Sequence, residues 1–387
     1  MLLLLPVFMI IVLFLVEFAA LIKLVDYRTF IGPYAFAARQ RAERRTDPEL
    51  LVVNRPYVHY VGSQRGGEYN VGFWRYDIPR RDRVLYSWDE RCDHNGFRNA
   101  VDLKSADIAV IGDSMVEGMT IPDGQLMTTL LAHLQGKTVA NLGQNGYGPE
   151  QELVVLKRYA APLRPRTIVW MFYEGNDLSD VLNYRRIISG QGVGAAALWM
   201  GLPERNTGFW QGFYERSFTK NALDQLIVQL HRRPPGAKRS GVILTSNGKE
   251  QAMYFVLPPP RLTPQNLDAL DQTLRDFAAG HALCAAQGAR LIVVFLPEKF
   301  RVFRQLCRFP PESECRNWVV CDLPERMEKG VRAISSEIGY LDLTPFLMNG
   351  VKRGVVPYYT DDEHMSPEGH QIAAAAINNY LSSTPNR

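Results

Sequence analysis

No dense run of lysine and arginine occurs in the 387 residues, and 44 basic against 40 acidic residues leave a formal net charge of +4. Nucleic-acid binding needs a basic face or stripe and gains no support. The glycine-rich turn at Gly143, Gly146 and Gly148 has neither G-x-G-x-x-G nor P-loop spacing, which argues against a phosphate cradle. Cysteine is scarce, at five. The clustered Cys307, Cys315 and Cys321 lack C-x-x-C spacing and a neighbouring histidine, so zinc is a weak reading. No Lys or Arg precedes the apolar N-terminus and no small-x-small site follows it, unlike a cleavable signal peptide.

What is present is a globular composition, 46% hydrophobic and 22% charged, with material for a substantial core. Residues 2–22 are apolar except for Glu17. As a helix this run would extend about 32 Å, the thickness of a bilayer core, so residues 1–24 are expected to form a single membrane anchor. The basic flank Lys23, Arg28, Arg39, Arg41, Arg44 and Arg45 would draw the rest of the chain to the cytoplasm. The spacing of Cys307, Cys315 and Cys321 instead suits a short-loop disulfide and an oxidising compartment, which favours the periplasmic or extracellular side of the cell membrane. Residues 25–104 read as an N-terminal extension that packs on the main domain, with extended pieces near 57–61 and 83–87 and His94 in a surface turn.

From residue 105 the pattern is regular. Strand 108–111 leads to a helix opening near Asp123, with Leu126, Leu130, Leu131 and Leu134 on one face. Strand 138–142 precedes the glycine-rich turn and a helix that starts at Pro149 and runs to about 161. Strand 167–173 ends at Glu174-Gly175-Asn176-Asp177. Residues 178–261 break the rhythm and read as an insertion, with loop signals at Arg233-Pro234-Pro235-Gly236 and Pro258-Pro259-Pro260 and helix near 222–231. Its Trp199 and Trp210 are expected to be buried or to touch lipid rather than stack on a sugar. A helix then opens at Thr263-Pro264, strands 291–296 and 340–343 follow with a helix between them, and Ser366-Pro367 starts a last helix. Five strands alternating with helices make an α/β domain over 105–387 with a parallel, doubly wound sheet.

In such a sheet the chemistry gathers at the carboxyl ends of the strands. Ser114 follows the first strand, Gly146 the second, Asn176 the third, and Asp361 and His364 lie after the fifth. A serine hydroxyl needs a base, and imidazole suits that work. Asp361 can orient the ring, and the N–H groups of Ser114 and Gly146 with the Asn176 amide can bind an oxyanion. Taken singly, Ser114 could be a helix cap, Asn176 a turn residue and His364 a surface histidine. Asp362 and Glu363 read as solvated loop charges and His370 as structural.

These residues fall in four ordered blocks: Gly112-Asp113-Ser114, Asn141 to Gly146, Gly175-Asn176-Asp177, and Asp361-Asp362-Glu363-His364. Over about 107–382 the chain resembles the SGNH hydrolases, also called GDSL esterases and lipases. The resemblance implies a flavodoxin-like three-layer α/β/α sandwich, a Ser114-His364-Asp361 triad, an oxyanion hole of Ser114, Gly146 and Asn176, and no metal or other cofactor. One departure is Glu174, a bulky acid where the family pattern begins its third block with glycine, which puts substrate access in question. The reading that follows is a membrane-anchored serine esterase acting on an ester or an acylated glycan. Two rivals stand beside it: an O-acetyltransferase modifying an extracytoplasmic polysaccharide, fed by a membrane acyl-donor protein, and an inactive binding or assembly subunit.

Overall fold

The apolar N-terminus is a helix, α1 (Leu4–Leu21), in a computed structural model that describes residues 4–31, 43–65, 78–190, 208–230 and 239–383. Trp199, Arg39, Arg41 and the Arg233-Pro234-Pro235-Gly236 loop lie outside the described residues. At 18 residues α1 is about 27 Å long, just short of a bilayer core of about 30 Å. Among the described residues no helix is long and apolar enough to cross a membrane, so the expected spanning anchor over 1–24 is not met. The physical reason lies at the helix end, where Lys23 takes a left-handed φ of 61° and the chain turns into a short 3-10 helix capped by Asp26. Even so, α1 leaves a continuous row of large apolar side chains exposed, Val7 to Leu15.

The extension holds two antiparallel hairpins, β1 (Arg44–Asp47) with β2 (Leu51–Asn54), and β3 (His59–Arg65) with β4 (Leu85–Arg91). The first is fastened to the main domain: the Tyr147 hydroxyl donates to the Val52 carbonyl at 2.5 Å, and the Gln151 amide to the Leu50 carbonyl at 2.8 Å. His94 is in an exposed turn, as expected, beside Asp102 at 3.1 Å.

The main sheet has five parallel strands: β5 (Ile108–Gly112), β6 (Val139–Gly143), β7 (Thr167–Tyr173), β10 (Arg290–Leu296) and β11 (Gly339–Asp342). Their spatial order is β11-β10-β7-β5-β6. Every residue of β7 is buried, as a central strand covered on both faces requires. The antiparallel pair β8 (Ser240–Leu244) and β9 (Glu250–Tyr254) stands apart from this sheet. The chain runs from β5 outward to β6, then returns to β7 on the other side of β5. That reversal opens a crevice at the carboxyl ends of β5 and β7, where α/β sheets bind ligands.

Helices cover both faces, giving the expected three layers. The first of them are the short α2 (Ser114–Glu117) and α3 (Met127–Gln135), followed by α4 (Pro149–Val155) and α5 (Asp177–Ile188). The boundary expected at 178 falls inside α5, which belongs to the sandwich and packs on the long helix that follows the insertion. Within the insertion α6 (Phe209–Arg216) and α7 (Phe218–Leu230) lie against α1. There the Thr219 N–H and hydroxyl both donate to Glu17 Oε1, at 2.7 and 2.6 Å, which gives the one charge of the apolar run a partner on one of its two oxygens. Trp210 is 72% exposed, so it is not buried against the main domain. Later helices are α8 (Pro264–Ala286), α9 (Lys299–Phe303), α10 (Leu323–Ile334), α11 (Thr344–Lys352) and α12 (Pro367–Ser383).

All five cysteines are free thiols, so the disulfide expected among Cys307, Cys315 and Cys321 is absent. Cys307 and Cys315 are buried in the apolar layer around α9 and act as small hydrophobic groups; burial pushes each thiol up to about 12. The case for an oxidising compartment drawn from their spacing lapses with the bridge.

Candidate active site

Ser114 stands at the first position of α2, straight after β5. Asp113 caps the turn by accepting the Met115 N–H at 2.9 Å, and the serine is 5% exposed. The turn is tight: a Cβ on Gly143, at the end of the neighbouring strand, would meet the Glu117 backbone nitrogen at 2.2 Å. Glycine is therefore needed there for the end of β6 to lie against the backbone of α2.

His364 comes from the other end of the domain. Its Nε2 lies 3.0 Å from Ser114 Oγ, and its Nδ1 lies 2.5 Å from Asp362 Oδ1. With the proton on Nδ1, donated to Asp362, Nε2 is left to accept the serine proton, the geometry of a general base. Asp362 also accepts the His364 backbone N–H at 2.9 Å, so one carboxylate fixes both backbone and ring. Asp362, not Asp361, is thus the acid in contact with the His364 ring, and the expected Ser114-His364-Asp361 chain of contacts is corrected at one position. Spacing three residues from the histidine suggested Asp361. The signal that could have found Asp362 is the tendency of Asp to bond the N–H two residues on.

Asp361 is fully buried and faces elsewhere. It accepts the Val84 N–H at 3.0 Å and the Tyr86 hydroxyl at 2.5 Å, both from the N-terminal extension. Glu363, expected in solvent, is also buried and accepts the N–H groups of Val256 and Leu257, just beyond β9. Three consecutive acids therefore serve three separate parts of the molecule. Lys299 completes the arrangement, its Nζ donating to the Asp362 carbonyl at 2.9 Å and to the Thr360 carbonyl at 3.3 Å.

The oxyanion candidates sit at the same end of the sheet. Gly146 has a left-handed φ of 81°, and its turn is held by the Asn145 N–H donating to Glu117 at 2.7 Å. As the first residue of α2, Ser114 has a backbone N–H with no partner inside that helix. Asn176 is the N-cap residue of α5, and its side chain makes no capping bond to that helix. Glu174 does not obstruct them. It is 1% exposed and bound by Arg301 at 2.7 and 2.5 Å, so its carboxylate is committed to α9, which removes the doubt it cast on access. His370 is structural as expected: it is buried and accepts the Met127 N–H at 3.1 Å. Among the described residues no cluster of His, Cys, Asp and Glu could hold a metal.

Burial disfavours the charged form of His364, but the charge and hydrogen bond of Asp362, with Asp113 and Glu363 behind, outweigh it and raise the imidazolium pKa. Burial alone would raise Asp362, yet His364 and Lys299 hold it below the usual carboxylate range. Because only neutral His364 can take the serine proton, kcat/KM is expected to fall as pH drops through a midpoint above that of an ordinary imidazole, about 6.5. A pH–rate profile with its acid limb centred at or below that value would contradict this.

No protein-family profile matches the chain, and no curated protein does. Among solved structures the chain is similar to a GDSL-like lipase from Bacteroides thetaiotaomicron, at 13% identity, 71% of this chain and 87% of that one, TM-score 0.33. It is also similar to a catalytic mutant of an acetylxylan esterase from Geobacillus stearothermophilus, at 11% identity, 72% and 95% coverage, TM-score 0.36. A third is an alpha/beta hydrolase from the metagenome of Lake Arreo, at 12% identity, 72% and 96% coverage, TM-score 0.36. At these identities and TM-scores the likeness decides nothing about activity. The chemistry rests on the contacts of Ser114, His364 and Asp362.

Proposed function

We propose that this protein is a serine esterase of the SGNH type that cleaves an O-acyl ester through an acyl-enzyme. Ser114 attacks the ester carbonyl while His364 takes its proton, and Asp362 steadies the imidazolium. The Ser114 and Gly146 N–H groups and the Asn176 amide receive the oxyanion. His364 then returns the proton to the leaving alcohol, and water repeats the sequence in reverse. The single observation that carries this reading is the Ser114–His364–Asp362 chain at 3.0 and 2.5 Å. A fluorophosphonate probe should label Ser114 and block turnover of a short-chain aryl acetate; an unlabelled serine in folded protein would count for the inactive binding subunit instead.

Transfer to a sugar hydroxyl rather than water is the second reading. A cavity of about 650 Å³ beside Thr360, lined by Arg81, Asp82, Glu250 and Gln251 among others, has the polar groups a carbohydrate would use, although neither Ser114 nor His364 lines it. Running the same assay with an oligosaccharide present separates the two: acylated glycan in the mass spectrum supports transfer, and free acid alone supports hydrolysis.

The exposed apolar surface of α1 points to a lipid surface as its surroundings, with Phe209 and Trp210 of α6 beside it. The full chain is therefore expected to float with phospholipid vesicles, and α1 carrying Ile10→Ser, Leu13→Ser and Phe14→Ser to remain behind. Equal flotation of both would rule this out.

A further inference from the structure

Lys299 follows Glu298 at the start of α9, and none of its surface reaches solvent. Its ammonium has three protons and three acceptors: the carbonyls of Tyr254 at 2.5 Å, Asp362 at 2.9 Å and Thr360 at 3.3 Å. Two of these flank Asp361 in the loop that carries His364, and the third ends β9. The Phe255 ring lies 5.4 Å from the ammonium. Asp361, Asp362 and Glu363 are the charged groups of that loop around it, with Cys307 beyond.

Burying an ammonium is costly unless opposite charge and hydrogen bonds compensate. Burying three consecutive carboxylates is costly for the same reason. Here each offsets the other, and the cation is joined to the backbone of the acids rather than to their carboxylate oxygens. The carboxylates are left to other tasks: Asp361 to Val84 and Tyr86, Asp362 to His364, Glu363 to Val256 and Leu257.

We propose that Lys299 is a positioning residue for the catalytic loop: by gripping the Thr360 and Asp362 carbonyls it sets the turn from which the Asp362 carboxylate meets His364. This rests on the serine-esterase reading of Ser114. Lys299 touches neither Ser114 nor His364, so its loss acts on orientation and not on substrate binding. A misplacement of about 1 Å in such a constellation costs roughly 100-fold in rate.

The test uses the full chain and two readouts, the rate of fluorophosphonate labelling at Ser114 and the separate kcat and KM for an aryl acetate. Lys299→Met keeps the length of the side chain and removes its donors and charge. It is expected to lower kcat and the labelling rate by about 100-fold with KM unchanged. Lys299→Gln, which keeps donors on a shorter stem, should fall between, and it carries the test if the methionine variant lacks cooperative unfolding. In Lys299→Ala, added n-propylammonium should restore part of the labelling rate where n-propanol does not. Rates within twofold of wild type in a folded variant, or a loss confined to KM or to the melting temperature, overturn the proposal. Wild-type protein that neither labels nor turns over would instead overturn the esterase reading itself.

Discussion

Ser114→Ala protein is expected to retain its fold and to lose about a millionfold in kcat toward an aryl acetate. The serine side chain sits at a strand end with His364 Nε2 as its hydrogen-bond partner, so removing the hydroxyl takes away the nucleophile and leaves the sheet intact. Some acceleration should survive, because the oxyanion donors and the binding crevice remain; in comparable triads this residue is about 1,000- to 10,000-fold over water. Turnover equal to wild type, measured on protein with an unchanged thermal transition, would remove Ser114 from the chemistry.

The second large effect separates two adjacent residues. Asp362→Asn should lower kcat by about 10,000-fold, since an amide facing Nδ1 favours the wrong imidazole tautomer and cannot stabilise the imidazolium. Asp361→Asn should leave kcat within about tenfold. Its carboxylate instead joins the catalytic loop to the Val84 N–H and the Tyr86 hydroxyl, so the loss is expected in stability, about 1–3 kcal/mol for a buried acceptor left badly matched. Paired kinetics and denaturant titrations on both variants decide the matter. The opposite pattern, with Asp361→Asn catalytically dead and Asp362→Asn active, would restore Asp361 to the triad.

That one-residue correction marks the limit of what the chain discloses before folding. The strand 167–173 is legible to the residue because an uninterrupted apolar run has one solution, a strand buried on both faces. The meeting of Ser114 and His364, 250 residues apart, is legible because strand ends define a common edge. Asp361 and Asp362 cannot be told apart in that way. Both lie on the same loop, and the choice is made by partners 277 and 275 residues away, Val84 and Tyr86, which claim the first acid and leave the second for the histidine. The commitment of Glu174 is hidden from the sequence for the same reason, since Arg301, its partner, is 127 residues downstream. The β8–β9 hairpin escaped notice because a short pair outside the main sheet leaves little periodic signal, and the cysteine spacing misled because buried thiols and bridged ones can share it.

The three acids in a row also bear on how the parts of the protein hold together. Residues 361–363 follow all five strands of the sheet in the chain, and they connect to β4 from the N-terminal extension, to the end of β9 in the insertion, and to Lys299 after β10. The parallel sheet can be complete while the base still lacks its orientation. On the proposed esterase reading, the orientation of the base depends on both appendages: a protein with either of them undocked would keep its sandwich and lose contacts that hold the His364 loop.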